Sequence, residues 1–200
     1  MNLANATIQW IGKLAEIRDD ATGRHIERVQ EYLELLIKAA EEQTMGWDVE
    51  AVLTAAVLHD VGKIKVPDSI LLKKGRLSLQ EFKEMEKHCL YGKELLEELQ
   101  KTIKYEHFLV YAKNIALYHH EKWDGTGYPE RLKGEEIPLE ARMMALVDVY
   151  DALVSERPYK AAYSHESAME IILDGKGSHF DPDLLDLFMG LTEEIKAIPR

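Results

Sequence analysis

The stretch VEAVLTAAVLHDVGKIKVPD, residues 49–68, decides the fold that this sequence predicts. Its first part is apolar on most faces, which predicts a buried central helix. That helix is expected to end at the adjacent pair His59 and Asp60, before a Gly, a Lys and a Pro-Asp turn. A buried carboxylate is costly unless a positive group compensates it. The pair therefore predicts a salt bridge, a hydrogen-bonded network or a metal at the end of this helix.

The composition of the chain suits a single domain. Its 200 residues are 46% hydrophobic, which is enough for a sizeable core. The formal net charge of −11 argues against a surface that coats a nucleic-acid polymer, because such a surface needs a basic face. Any anionic ligand must therefore meet positive charge that is local. The single cysteine, Cys89, excludes an intramolecular disulfide and favours a reducing compartment.

Membrane and export signals are missing from the sequence. No apolar run approaches the roughly 18 residues that a membrane span needs. The N-terminus also lacks the charged-then-apolar pattern of a signal peptide. We therefore expect a cytoplasmic chain that does not insert into the membrane.

Helical periodicity runs through most of the sequence, with apolar residues spaced three and four apart. Ser78 and Glu81 predict a capping box that opens one long helix over 79–99. Asp181 and Pro182 predict the start of a last helix, and no segment alternates cleanly enough to predict a strand. The expected fold is all-α, a single bundle of about seven or eight helices. A loop rich in Gly and Pro, roughly 122–138, is long enough to be functional.

The first helix has three interpretations, and all of them stay open. Its apolar residues are Trp10, Ile11, Leu14 and Ile17. They suit the first helix of the domain, but they equally suit a connector to a missing upstream module or the contact surface of a homodimer. We therefore divide the chain into an N-terminal helix, 1–18, and a domain over 19–200.

Polar side chains recur on the inward edges of the predicted helices. Six of them share this placement, and they are His25, His59, His88, His119, His120 and Asp148. One such histidine alone would more often be a hydrogen-bonded core residue than a ligand. Together with Asp60, the six indicate a site of imidazole and carboxylate donors, which suits iron, manganese or zinc. Since they exceed what one tetrahedral zinc needs, we expect a dinuclear site bridged by a carboxylate.

With these residues in view, the chain resembles the HD-GYP family, the cyclic-di-GMP phosphodiesterase branch of the HD phosphohydrolases. The resemblance covers roughly residues 16–190 and includes RDDATGRHIERV and VLHDVGKIKVPDSIL, with Val57 where Leu is common. The segment HHEKWDGTGYPERLKGEEIPLEARMMALVDVYDAL, 119–153, matches the namesake block of the family. An HD dipeptide alone is a weak signal, but this long block in the right order is specific. The resemblance implies an HD-type helical bundle.

Carried over position by position, the resemblance implies two divalent metal ions, with iron or manganese preferred and zinc not excluded. One ion would be held by His25, His59, Asp60 and Asp148. The other would be held by His88, His119 and His120, with Asp60 as the bridge. Some members hold a third ion through a Glu four residues before the first ligand histidine. Ala21 stands at that position here and has no donor atom, so two ions are expected.

The resemblance also implies catalytic and substrate-binding residues. Asp60 and Lys63 are the catalytic candidates, with Lys63 acting on the leaving group or on a substrate phosphate. Tyr128, Arg157 and Lys160 resemble substrate-contacting positions, where Arg157 can fork onto a phosphate and Lys160 acts as a point charge. On this hypothesis, a hydroxide that bridges the metals attacks one phosphorus of cyclic di-GMP. The product would be linear pGpG, GMP or both.

Supporting residues and alternative functions complete the expectations. Asp151, Arg28 and Asp124 are expected to support the site from outside the ligand set. A phosphohydrolase of another nucleotide, or a non-catalytic receptor for a cyclic dinucleotide, is an alternative to the phosphodiesterase. The complete ligand set favours catalysis over the receptor. Regulation would come from an upstream domain or from a diguanylate-cyclase-type partner.

Overall fold

The structure, a computed structural model, describes residues 3–16, 24–102, 106–156 and 161–199. These ranges form an all-α bundle, so the predicted fold class is confirmed. The extended pairing that they contain is one isolated bridge between Lys176 and Phe180. Among the helices of these ranges, none combines the length and the apolar character that crossing a membrane requires.

Eleven α-helices and two 3-10 helices occur in the described part of the chain. They are α1 (Leu3–Glu16), α2 (His25–Ala39), α3 (Val49–Ala56), η1 (Val61–Lys65), α4 (Asp68–Leu71), α5 (Leu79–Glu86), α6 (His88–Gln100), α7 (Glu106–Tyr118), η2 (Gly134–Glu136), α8 (Leu139–Val154), α9 (His165–Asp174), α10 (Pro182–Gly190) and α11 (Thr192–Ala197). The number exceeds seven or eight because α4 is a single short turn and the last helix is divided in two. The long helix predicted from Ser78 is also divided, at Lys87, so that His88 begins a helix of its own.

The core lies where α3 packs between α2 and α7, with α8 lying against both α2 and α7. Its fully buried side chains include Leu33, Leu36, Val52, Ala55, Leu109, Ile115, Met143 and Met144. Tyr32 of α2 and Tyr150 of α8 meet edge to face, with ring centroids 5.0 Å apart. Removal of this apolar surface from water is the main force that holds the helices together. It fixes the helix ends on which the polar site is built.

The central helix ends earlier than the sequence predicts. It stops at Ala56, and residues 57–60 form turns in which His59 N donates to the Ala56 carbonyl at 3.2 Å. The same short-range bonding continues into η1, where Lys63 N donates to the Asp60 carbonyl at 2.9 Å. This path carries the chain against α6, where the backbone of Gly62 packs on that of His88.

Helix α1 packs against η1 and α3. At Gly12 the approach is so close that a Cβ would lie 2.5 Å from the Val57 carbonyl oxygen. Ala15 is buried, whereas Trp10 and Leu14 are 64% and 56% exposed. The boundary between 1–18 and 19–200 falls outside the described residues and stays a prediction.

We predict that Gly62→Ala lowers the free energy of unfolding by about 3 kcal/mol. The new Cβ would lie 1.9 Å from the His88 carbonyl oxygen, and a backbone group cannot move aside as a flexible side chain can. Urea unfolding measures the change. Gly190→Ala, in α10, is the matched control because its Cβ meets no atom within 4 Å. Equal stability of the two variants would contradict the close packing of η1 on α6.

Candidate metal centre

Two clusters of buried donor groups lie side by side within the bundle. One consists of Asp60, His88, His119 and His120, and the other of Glu16, His25 and His59. Within each cluster the donor atoms all lie within 4.8 Å of one another. Asp148 Oδ1 lies 3.6 Å from His25 Nε2, next to the second cluster. The structure thus brings all seven predicted metal ligands into one region and adds Glu16, which the sequence analysis did not name.

Asp60 lies at the junction of the two clusters and directs one carboxylate oxygen towards each. Its Oδ2 is 3.2 Å from His59 Nε2, and its Oδ1 is 3.3 Å from His88 Nε2 and 3.7 Å from His119 Nε2. Asp60 Oδ1 and His119 Nε2 are both buried without a hydrogen-bond partner in the described part of the chain. Leaving a buried polar atom unpaired costs about 1–3 kcal/mol. These orphaned donor atoms fit a cation between them, and the imidazole and carboxylate set suits a divalent metal.

Backbone carbonyls fix the orientation of three imidazoles. The Nδ1 of His59 lies 2.9 Å from the Ala56 carbonyl oxygen, that of His88 lies 2.7 Å from Met85, and that of His119 lies 2.9 Å from Ile115. Because a carbonyl oxygen can only accept, each Nδ1 carries the proton and donates. The Nε2 lone pair of a neutral ring then faces the centre, which is the arrangement that metal-binding histidines use.

Asp151 anchors the fourth imidazole, as the sequence predicts for a supporting residue. Its Oδ2 is 2.7 Å from His25 Nδ1, and Arg28 Nε donates to its Oδ1 at 2.6 Å. Arg28 also donates to the Ser155 hydroxyl at 2.8 Å. Burial would raise the pKa of Asp151, but its bonds to Arg28 and His25 hold that pKa below its usual range. The ionised carboxylate therefore keeps His25 Nε2 directed at the centre.

The electrostatics of the centre give His59 and His88 very different pKa values. Burial would raise the pKa of Asp60, but Lys63 and His59 hold it well below its usual range. Burial would lower the pKa of His59, but the Asp60 carboxylate raises it to about 9. His88 has a pKa lowered to about 4, chiefly by burial. In the metal-free protein at neutral pH, His59 is therefore an imidazolium and His88 is neutral.

A sequence model of the HD domain family matches residues 9–184, with the two clusters inside the matched range. The chain belongs to the HD domain family. Together with the relatives described next, this match confirms the resemblance to HD-GYP proteins. HD-domain phosphohydrolases bind divalent metals.

Curated relatives of this HD domain carry phosphodiesterase names. A cyclic di-GMP phosphodiesterase of Vibrio cholerae serotype O1 is 48% identical over 97% of this chain and 41% of its own length. A cyclic di-GMP phosphodiesterase of Thermotoga maritima is 40% identical over 96% of this chain and 50% of its own length. A 3'3'-cGAMP-specific phosphodiesterase of Vibrio cholerae is 41% identical over 98% of this chain and 35% of its own length. The chain thus spans half or less of these relatives.

A solved structure shares the fold of this HD domain. The cyclic GMP-AMP specific phosphodiesterase of Vibrio cholerae aligns with a TM-score of 0.61 at 17% identity, over 96% of this chain and 54% of that one. At this identity the likeness concerns the fold alone. It agrees with the all-α bundle described above.

Lys63 lies at the more exposed side of the centre of the HD domain. Its Nζ is 2.7 Å from Asp60 Oδ2, and its side chain is 18% exposed. The structure therefore places this catalytic candidate beside the carboxylate that joins the clusters. Arg157 and Lys160, the candidate phosphate contacts, lie outside the described residues.

Tyr128 packs on the centre through a loop that Glu121 holds in place. The Tyr128 ring lies over the His120 ring at 4.8 Å, and its backbone N donates to the His120 carbonyl at 3.2 Å. Glu121 is buried, and its Oε1 accepts from Glu130 N at 2.7 Å and from Arg131 N at 2.9 Å. The third residue of the HHE motif therefore positions the loop that carries Tyr128.

Asp124 does not act as the sequence predicts. Its Oδ1 accepts from the backbone N and the hydroxyl of Thr126, at 2.8 and 2.6 Å. It shapes the loop and makes no bond to a candidate ligand. Glu121 and Glu16 are the two residues that sequence reasoning missed. Only the motif position of Glu121, directly after His119 and His120, could have drawn attention to it.

We predict that Glu121→Ala loosens the Tyr128 loop while leaving the bundle folded. Loss of the carboxylate removes two charge-assisted bonds to Glu130 and Arg131, worth about 1.5–3 kcal/mol each. Hydrogen exchange at these two amides should accelerate by about tenfold or more. Glu135→Ala, an exposed carboxylate in the same loop, is the matched control and should leave both rates unchanged. Unchanged exchange in Glu121→Ala would show that other contacts hold the loop.

Proposed function

We propose that this HD domain is the catalytic part of a cyclic-di-GMP phosphodiesterase, which opens cyclic di-GMP to linear pGpG, GMP or both. The observation that carries the proposal is the convergence of two donor clusters on Asp60, one carboxylate oxygen for each cluster. Two relatives of this domain are named for this activity. Because the chain spans half or less of them, the activity and substrate of the whole protein belong to the proposal.

We assign the centre two divalent ions, iron or manganese, through the ligand set that the resemblance implies. One ion takes His25, His59, Asp60 and Asp148. The other takes His88, His119, His120 and Asp60. The unpartnered Asp60 Oδ1 and His119 Nε2 support the assignment. When bound, the two ions would lower the pKa of a water to give a hydroxide at neutral pH and would offset charge on the phosphoryl oxygens.

The protein side chains would then bind and orient the dinucleotide. Lys63 Nζ lies beside the centre, 2.7 Å from Asp60 Oδ2, and from there it would donate a proton to the leaving 3′-oxygen. The ring of Tyr128 offers an aromatic face to a guanine or a ribose next to His120. Arg157 and Lys160 would supply the local positive charge that a phosphate needs in a chain of net charge −11.

A second cyclic dinucleotide is the other substrate to test. A relative that is 41% identical over 98% of this chain is named as specific for 3'3'-cGAMP. Two guanines and a guanine–adenine pair share the same phosphodiester ring, so the metal centre cannot choose between them. The choice must lie in the residues that contact the bases.

We predict that protein loaded with iron(II) or manganese(II) under anaerobic conditions hydrolyses cyclic di-GMP, and that Asp60→Ala and His59→Ala abolish the turnover. Both variants remove a group that holds the centre together. Chromatography of the nucleotides measures substrate loss and the ratio of pGpG to GMP. Asp174→Asn, an exposed carboxylate on α9, is the matched control and should retain wild-type turnover.

Each other outcome of this assay has a definite meaning. Turnover of 3'3'-cGAMP in place of cyclic di-GMP would support the phosphodiesterase activity and change the proposed substrate. Binding of a cyclic dinucleotide without any turnover, with either iron(II) or manganese(II) loaded, would contradict the proposed phosphodiesterase activity and favour a receptor. Turnover that survives Asp60→Ala would contradict the assignment of the centre.

We also predict that metal binding at pH 7 releases a proton from His59. Its pKa of about 9 makes it an imidazolium in the metal-free protein, and a ligand histidine must be neutral. Titration calorimetry of manganese(II) in two buffers of different ionisation enthalpy counts the protons. His59→Ala should release about one proton fewer, whereas His88→Ala should release as many as the wild type because the His88 pKa is about 4. Equal release by the two variants would contradict this prediction.

A further inference from the structure

Glu16, the last residue of α1, reaches the metal centre from outside the predicted ligand set. Its side chain is 8% exposed, and its Oε1 lies 3.4 Å from His25 Nε2 and 3.7 Å from His59 Nε2. The two nitrogens are themselves 3.5 Å apart. Within the described ranges, Glu16 Oε1 has no hydrogen-bond partner. A buried carboxylate oxygen is thus directed at two imidazoles without bonding to either.

The three donor atoms have the spacing of ligands around one ion. When each ligand lies about 2.0–2.2 Å from the metal, ligands on one ion lie roughly 3.0–3.5 Å apart. The three observed separations, 3.4, 3.5 and 3.7 Å, are close to this range. The Nδ1 atoms of both imidazoles are already bonded, to Asp151 and to the Ala56 carbonyl. Only the Nε2 atoms remain, and these are the atoms that face Glu16.

The position of Glu16 is built into the packing of α1. Gly12, four residues earlier on the same helix face, lets α1 approach the Val57 backbone just before His59. Lys13 also pairs with Glu27 of α2 at 2.7 Å, which ties α1 to the helix that His25 begins. The first helix is therefore placed by the same two segments that supply the imidazoles.

We propose that Glu16 is a direct ligand of the ion held by His25 and His59. This inference rests on the proposed metal centre and extends its ligand set by one carboxylate. Position 21, where some HD-GYP proteins carry a metal-binding Glu, is Ala in this chain. Glu16 supplies a carboxylate beside His25 and His59, and it makes α1 part of the site.

The test is a manganese(II) titration of the wild type, Glu16→Gln, Glu31→Gln and Asp60→Ala, with free manganese followed by its electron paramagnetic resonance signal. Glutamine keeps the shape of Glu16 and removes its charge. We expect Glu16→Gln to weaken the affinity for one manganese ion by about tenfold or more, because loss of a group that merely supports a ligand already lowers metal affinity 10–100-fold. Glu31→Gln removes an exposed carboxylate of α2, and it should bind manganese as the wild type does.

Urea unfolding of the metal-free proteins separates ligation from packing. Metal-free Glu16→Gln should unfold in the same single cooperative transition as the wild type, because glutamine keeps the shape of the side chain and removes only its charge. Weakened metal binding in a variant that has also lost the cooperative transition without metal would place the effect in packing and overturn the ligand role.

The same titration separates this inference from the proposed function. Wild-type affinity in Glu16→Gln together with lost affinity in Asp60→Ala would overturn the role of Glu16 and leave the metal centre intact. Wild-type affinity in both variants would overturn the metal centre itself.

Discussion

The burial of an ionised Asp60 is the constraint on which the rest of the site depends. A carboxylate inside an apolar bundle needs positive charge, and Lys63 is its closest cation among the described residues. Glu16 adds a second carboxylate to the same region, whereas the nearby Asp151 is already compensated by Arg28. In the metal-free protein Lys63 and the His59 imidazolium balance Asp60 and Glu16, but His59 must be neutral to bind a metal, and one negative charge is then left in excess. A divalent ion is the simplest group that would restore the balance.

Helix ends explain how the bundle orients its imidazoles. The last carbonyls of a helix lack partners within it, and they carry the negative end of the helix dipole. His59, His88 and His119 each follow the end of a helix and donate Nδ1–H to a carbonyl of its last turn, on Ala56, Met85 and Ile115. One contact thus satisfies a helix end and directs Nε2 inward. Three negative helix ends converge on the place where a cation would bind.

The sequence predicted what local patterns specify. Helical periodicity and a capping box at Ser78 were enough for the all-α fold class, and the resemblance to HD-GYP proteins implied seven ligand positions, which the structure brings into one region. The end of α3 and the division at Lys87 were not predictable, because both depend on contacts made in the folded chain, such as the packing of Gly62 on the backbone of His88. Glu16 was missed for the same reason. The position of Glu16 depends on the packing of Gly12 against Val57, and the spacing of apolar residues in the sequence does not predict that contact.

The two faces of α1 have different surroundings, and this bears on the interpretations of the first helix as part of the domain and as a connector. Trp10 and Leu14 are exposed. Gly12 and Glu16 each follow one of them by two residues, which is about 200° around the helix, and they face the bundle. A stiff helix cannot move one face without the other. Any group that binds the exposed face and shifts α1 would therefore move Glu16 relative to His25 and His59. A connector and a component of the metal centre are consequently compatible roles for one helix.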